Sequence, residues 1–418
     1  MVLFYDFLFV IFSLLYLPYL LLKKKWHKGF WARFGFLNKE KLNLKDKGRI
    51  WVHAVSVGEV LVVKNLLPKI RVAYPDHQII ISVVTQTGFH MAQSIIQGDE
   101  IVIYAPVDLS FAVRRYLDIL QPNIYLNAET ELWPNLLTAL KKRSIPIVQI
   151  NGRISDKAFK GYKFFKGFLH PILACIDCFC VQSESDADRM KELGACSEKV
   201  FVTGNIKFDD VFGEKASELP QAILSKKGMM LVAGSTHPGE EEIILDVVQI
   251  LKRECPGLSL ILAPRHPDRA GEIATLCAQK GFRVIKFSEI KETFDAQTVI
   301  VVDTIGHLRS LYPLADVVFL GKSLTVKGGH NVIEPAYYGK PIIIGPFMQN
   351  FRDITKLFLE GDALIQVNNQ TQLQEALAKL FKDQALRDRL GKNAKRVIEK
   401  NQGATDKTFA MISKVMGS

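Results

Sequence analysis

The chain predicts an α/β fold built twice: two doubly wound parallel sheets, each flanked by helices, behind an apolar amino-terminal segment. Three observations predict it. From residue 48 onward, short β-branched runs alternate with amphipathic stretches, the pattern of parallel strands joined by helices. The alternation pauses at Asp209–Lys227, a polar stretch with one Pro that reads as a linker with a short helix, and then resumes. With 48% hydrophobic and 23% charged residues over 418 positions, the composition suits two or three folded domains. It argues against bulk disorder, a collagen-like chain or a polytopic membrane protein.

The first element is the apolar run. Val2–Leu22 is uncharged except for Asp6, and Lys23-Lys24-Lys25 follows at once. About 20 apolar residues make a spanning helix. No Lys or Arg precedes the run and no small-residue cleavage site follows it, so a signal peptide fits poorly. The reading is a membrane anchor over residues 1–25, spanning or shallowly inserted, with Pro18 kinking it. Residues 1–50 hold ten Lys/Arg against Asp6, Glu40 and Asp46, most of the chain's net charge of +11. Lysines next to an apolar run favour the cytoplasmic side and anionic headgroups. A nucleic-acid binder would spread them along a face. Six cysteines in so long a chain point to a reducing compartment.

The strands of the first half are Ile50–Val55, Ile79–Val84, Ile101–Tyr104, Ile124–Asn127, Ile147–Asn151, Cys178–Gln182 and Val200–Thr203. Between them lie helical patterns such as Val60–Val72, Phe111–Leu120, Leu132–Lys142 and Ser185–Leu193. The second half repeats the scheme with Met229–Gly234, Leu258–Ala263, Arg283–Ile285, Val299–Val302, Val317–Leu320 and Ile342–Ile344, and the last 50 residues are helical. The predicted domains are 26–210 and 211–400, Rossmann-like and facing across a cleft, with a closing helix over 401–418. Ligands in such sheets gather at the carboxyl ends of the strands.

Those ends carry the chemistry. After the first strand, His53-Ala-Val-Ser-Val-Gly-Glu59 makes a tight turn with an acid in the first turn of the next helix. The acid either complements the helix dipole or serves as a general base. After the fourth strand come Glu129 and Glu131, then Trp133-Pro134. Paired acids leaving a buried strand need polar partners. Glu131, nearer the helix, reads as its cap, which leaves Glu129 as the site residue. In the second half, Gly234-Ser-Thr-His-Pro-Gly-Glu240 reads as an anion cradle, and Arg265 offers a fork for phosphate or carboxylate. Asp303-Thr-Ile-Gly-His307 follows another strand. In Gly328-Gly-His-Asn-Val-Ile-Glu334, paired glycines let amides near a phosphate, Asn331 can donate to it, and Glu334 suits a ribose diol.

With these stretches in hand, the sequence resembles the 3-deoxy-D-manno-octulosonic acid (Kdo) transferases of lipopolysaccharide synthesis. HAVSVGE (53–59), AETELWPN (128–135), NGRIS (151–155), VTGNIKFD (202–209), GSTHPGEE (234–241), APRHP (263–267) and GGHNVIEP (328–335) stand in that family's order and spacing. The resemblance implies a GT-B fold and transfer of Kdo from CMP-Kdo to lipid IVA, with inversion, at the cytoplasmic face of the inner membrane. Glu59 looks like the base that deprotonates the acceptor hydroxyl, and Glu129 like the second essential acid. Pro264, Arg265, Ile305, Gly306, His307, Asn331, Val332, Ile333 and Glu334 look like the CMP site. No metal or other cofactor is implied. His307 and Ala32 stand where many relatives carry Glu, which removes any contact those acids make.

Several stretches have blander readings. Asp186-Ala-Asp188 could be a metal-binding pair, but it opens a polar helix, where exposed acids complement the dipole. Cys175, Cys178 and Cys180 lack a second Cys/His pair for zinc and read as buried thiols. His53, His237, His266 and His330 read as loop-shaping hydrogen-bonders. The rival functions are a nucleotide-sugar epimerase of similar fold and a catalytically silent membrane-tethered binding module.

Overall fold

The structure, a computed structural model, describes residues 5–7, 9–11, 29, 31–37, 42–212, 218–224, 228–291, 295 and 297–417, with side chains excepted at 210–212. The chain divides into two compact units, residues 1–210 with 402–418 and residues 211–401.

The first unit is a seven-stranded, all-parallel sheet: β1 (Gly48–His53), β2 (His77–Val83), β3 (Ile101–Tyr104), β4 (Ile124–Ala128), β5 (Ile147–Gly152), β6 (Cys178–Val181) and β7 (Val200–Val202), in the order 3-2-1-4-5-6-7. Its helices are α1 (Val57–Ala73), α2 (Gln86–Ile95), α3 (Ser110–Leu120), α4 (Pro134–Lys142), α5 (Asp156–Phe164), α6 (Lys166–Leu173) and α7 (Glu184–Leu193). Residues of the central strands are buried on both faces, which is why they read as largely apolar runs. One face packs Trp51, Tyr125 and Phe179 under α3, α4 and α6, and the other packs Val52, Leu126 and Cys180 under α1.

In the second unit, α8 (Gln221–Leu224) precedes β8 (Met230–Thr236), α9 (Glu240–Leu251), β9 (Ser259–Pro264), α10 (Ala270–Gln279), β10 (Arg283–Lys286), β11 (Thr298–Val301), α11 (Leu308–Leu311), β12 (Val317–Leu320), α12 (Ile333–Tyr337), β13 (Ile342–Ile344), α13 (Arg352–Glu360), β14 (Ile365–Gln366), α14 (Gln370–Lys382) and α15 (Gln384–Asn401). The strand order is 10-11-9-8-12-13-14, again all parallel. The final helix, α16 (Ala404–Met416), returns to the first unit. Asp209 seats its start by accepting the Gly403 and Thr405 N–H groups at 2.8 and 2.6 Å, and Ala404 and Ile412 join the core beneath α1.

Both sheets reverse direction beside their first strand, between β1 and β4 and between β8 and β12. Such switch points open a crevice at the strand ends. Glu59 and Glu129 follow the two strands flanking the first, while Glu240 and the 321–324 loop flank the second.

Most of the predicted anchor lies outside the described residues. Among the described residues no helix is long and apolar enough to cross a membrane.

Candidate active site

Ser56 precedes α1, so Glu59 occupies the third helical position, from which a side chain can turn back past the cap. Glu59 Oε2 accepts the Val55 N–H at 2.6 Å and Oε1 the Ser56 hydroxyl at 3.0 Å. The hydroxyl that would ordinarily cap the helix is spent on the acid, and Ser56 makes no side-chain cap bond. Glu59 is 7% exposed. Burial lifts its pKa to about 7; the Val55 and Ser56 donors pull it down, and the charges of Glu129 and Glu131 push it up. The acid in the first turn of α1 therefore changes charge near neutral pH.

Glu129 lies at φ +54, a left-handed conformation that costs a non-glycine residue energy unless its surroundings impose it. They do so from below. Sheet register aligns Ser82, His53, Asn127 and Gln149 in one row across β2, β1, β4 and β5. From that row Gln149 Nε2 donates to Glu129 O at 2.8 Å and to Thr130 Oγ1 at 3.0 Å, and Asn127 Nδ2 donates to Glu131 O at 2.7 Å. The Glu129 carboxylate then meets Arg153 Nε at 3.3 Å and Lys207 Nζ at 3.1 Å. Three separate sequence stretches, AETELWPN, NGRIS and VTGNIKFD, therefore meet at one acid. His53 is buried and neutral, its pKa driven down to about 3 chiefly by burial, with Nδ1 2.9 Å from Ser82 Oγ and its ring edge-on to Trp133.

The expected cap at Glu131 is corrected. Its carboxylate accepts the Trp133 indole N–H at 2.9 Å, and burial raises its pKa. Helix α4 is capped instead by Asp108, which accepts the Asn135 and Leu136 N–H groups at 3.2 and 2.9 Å. An acid 27 positions upstream carries no local sequence signal of that role.

In the second unit the turn after β8 directs its own acid at the loop after β12. The buried Glu240 carboxylate accepts four backbone N–H groups: His237 at 2.9 Å, Lys322 at 2.8 Å, and Ser323 and Leu324 at 2.9 Å each. Of the turn's own N–H groups that of His237 is thus taken by Glu240, while the other three come from the loop after β12. The Gly328–Gly329 amides are likewise committed. Gly328 donates to Phe347 O at 3.3 Å and Gln349 Oε1 at 3.0 Å, and Gly329 donates to Lys322 O at 2.7 Å. Gly329 is needed for space and backbone: at φ +78, a Cβ there would stand 2.6 Å from Met348 Sδ and 2.9 Å from its Cα.

What the second unit does gather is cationic. The His237 ring lies 6.0 Å from that of His266 and 5.5 Å from that of His330. The pKa of His330 falls to about 3, first through burial and then through His237, Arg265, Lys322 and His266. Arg265, exposed just past Pro264 at the end of β9, thus shares one patch with the loops after β8 and β12. Lys322 had no motif to announce it. Asn331 Oδ1 accepts the Ile333 N–H at 3.1 Å to open α12, and the Val332 and Ile333 side chains are wholly buried. After β11, Ile305 is 86% exposed, Gly306 turns the chain at φ +97, and the His307 ring packs on Phe287, 4.6 Å between centroids. That turn reaches the first strand, since a Cβ on Gly234 would sit 3.1 Å from Leu308 Cδ1.

Asp186 accepts the Ile154 N–H at 2.9 Å and the Ser183 hydroxyl at the start of α7. Cys175, Cys178 and Cys180 are buried thiols.

Residues 28–210 match the family described as 3-deoxy-D-manno-octulosonic-acid transferase, and residues 283–397 match glycosyl transferases group 1. A bifunctional glycosyltransferase/methyltransferase of Fusobacterium nucleatum is 37% identical over 82% of this chain, which spans only 54% of that relative's length. The 3-deoxy-D-manno-octulosonic acid transferase of Haemophilus influenzae is 33% identical over 87% of this chain and 86% of its own. Among solved structures, a putative UDP-N-acetylglucosamine 2-epimerase from Listeria monocytogenes superposes with a TM-score of 0.58 at 11% identity, covering 88% of this chain and 96% of its own. At that identity the likeness shows the fold alone, two parallel-sheet α/β domains in keeping with GT-B.

Proposed function

This chain belongs to the Kdo transferase family, and from that premise we propose that it transfers Kdo from CMP-Kdo to lipid IVA with inversion, at the cytoplasmic face of the inner membrane. Acceptor activation falls to the first unit and donor binding to the second. In the proposed step Glu59 takes the proton of an acceptor hydroxyl, the hydroxyl oxygen bonds to the anomeric carbon of Kdo, and that carbon's bond to the phosphate oxygen breaks. The electron pair leaves with CMP. An alcohol is too weak an acid to lose its proton unaided at neutral pH, so a carboxylate in reach of it is required. Glu129, held between Arg153 and Lys207, orients the acceptor and keeps negative charge beside the base. Arg265, Lys322 and the imidazoles around His237 supply cationic and donor groups for the phosphate and carboxylate of the sugar nucleotide.

One observation carries this reading: a nearly buried glutamate at a switch point, bounded by two further acids, with its pKa at about 7. Membranes containing the protein are incubated with CMP-Kdo and lipid IVA, and CMP release and lipid mass are followed. Transfer that persists with chelator and vanishes in Glu59→Ala supports the proposal. CMP-Kdo turnover without acceptor, or UDP-sugar isomerisation, overturns it.

A further inference from the structure

Lys322, just past the end of β12, sits in the left-handed backbone region at φ +55. Among the described non-glycine residues at positive φ it is the one cation. Its backbone is fixed from two sides: the N–H donates to Glu240 Oε2 at 2.8 Å, and the carbonyl accepts the Gly329 N–H at 2.7 Å. Glycine would make both bonds without the cost a side chain incurs in that conformation. A lysine held there against its backbone preference points to work done by the side chain.

The side chain has space set aside for it. Gly328 lies at φ +142, and a Cβ on it would stand 2.7 Å from Lys322 Cε and 3.1 Å from Lys322 Cδ. The same Cβ would stand 3.2 Å from Nδ2 of Asn350, in the turn after β13, and the Asn350 N–H donates to Gly328 O at 2.8 Å. The lysine stem and the asparagine amide thus converge on one bare glycine. Among the described residues, neither the Lys322 ammonium nor the Asn350 side-chain amide has a hydrogen bond or ion pair, and Glu240 bonds only the lysine's backbone. Lys322 shares the neighbourhood of His330 with Arg265, His237 and His266. Basic groups gathered in this way repel one another until an anion joins them.

Strand order divides these groups. Arg265 and His237 follow β9 and β8, while Lys322 and Asn350 follow β12 and β13, on the other side of the reversal. A sugar nucleotide whose sugar is a 2-keto acid carries two anions, the phosphate and a carboxylate on the anomeric carbon. The Arg265 fork suits the phosphate. The point charge of a lysine beside an amide donor suits the carboxylate.

We propose that Lys322, with Asn350, binds the carboxylate of the donor sugar and so selects an acidic sugar over a neutral one. This rests on the donor reading above and deepens it by assigning the anion that sets this sugar apart. Two full-length variants are compared with the parent in membranes, Lys322→Met, which keeps the stem, and Lys322→Gly, which suits the backbone. CMP-Kdo is the substrate and CMP the competing product. KM for CMP-Kdo is expected to rise roughly ten- to hundred-fold in both variants. Inhibition by CMP should stay as in the parent, since CMP has the phosphate and lacks the carboxylate. Lys322→Gly should unfold in urea at the same midpoint or a higher one. Unchanged KM in both variants overturns the proposal, as does inhibition by CMP weakened as far as KM is raised, which would place Lys322 on the phosphate. A rise in KM that comes with lost stability in Lys322→Gly overturns it too, since the side chain would then be holding the loop. A parent that releases no CMP from CMP-Kdo defeats the functional proposal and this one with it; variants that transfer Kdo at the parent's KM defeat this one alone.

Discussion

Each half of the molecule places a glutamate at the start of the helix that follows its first strand, at its sheet's switch point, and the two have opposite surroundings. Glu240 is wholly buried and receives four backbone N–H groups, three of them from the loop after β12 across the reversal. Glu59 receives one backbone N–H and one hydroxyl, and across its reversal it meets Glu129 and Glu131. The strand that answers the first acid decides its role. Amides make the carboxylate a fastener that holds two loops together; burial and neighbouring acids make it a group that gives up its charge easily. The same local pattern thus yields an amide-held fastener in one domain and, in the other, an acid whose pKa is raised to about 7.

The comparison can be broken by substitution. The largest effect is expected for Glu59→Gln: transfer falls roughly 10²–10⁴-fold while denaturant stability is unchanged or higher, because a poorly solvated ionisable group is gone. CMP release and urea unfolding read the two quantities separately. Glu240→Ala should do the converse, leaving four buried donors unmatched and costing about 3–5 kcal/mol in unfolding of the full chain. If Glu240→Ala proves as stable as the parent, the fastener role is wrong.

A smaller effect is expected for Gln149→Leu, which removes the donor to Glu129 O and Thr130 Oγ1. A loss of about 1–3 kcal/mol of positioning should appear as a drop in kcat, with KM for the donor little changed and Gln149→Glu unable to rescue it. The smallest is a pH shift. Activity should rise with pH through about 7 as Glu59 loses its proton, and Glu131→Gln, with one acid fewer beside it, should move that limb to lower pH. Stability has the opposite sign. A carboxyl whose folded pKa lies above its unfolded one stabilises while protonated, so the parent loses stability relative to Glu59→Gln as pH rises from about 4.5 through 7.

Much of the fold is legible along the chain. All thirteen strands expected from β-branched runs form, because a strand buried on both faces must be apolar throughout. Strand β14 escaped notice since it has two residues, Ile365 and Gln366. Glu59 and Glu129 are legible as acids at strand ends. The partners of those acids are not. Nothing in AETELWPN says that Arg153 and Lys207 will hold Glu129, and nothing in GSTHPGEE says that its Glu240 will bind amides some 80 residues later. The cap of α4 was misplaced for the same reason, Asp108 being remote in sequence and adjacent in space.

Composition and periodicity by themselves determined all but one of the strands, several of the helices, the two-part division and the acids and bases available at the strand ends, because hydrophobic burial and helix or strand period act over a few residues. Tertiary structure alone decided which carboxylate was bonded by amides and which was crowded by other acids. A carboxyl group's proton affinity depends on its burial and on charges within a few ångströms, and those neighbours arrive from other strands only when the sheet closes.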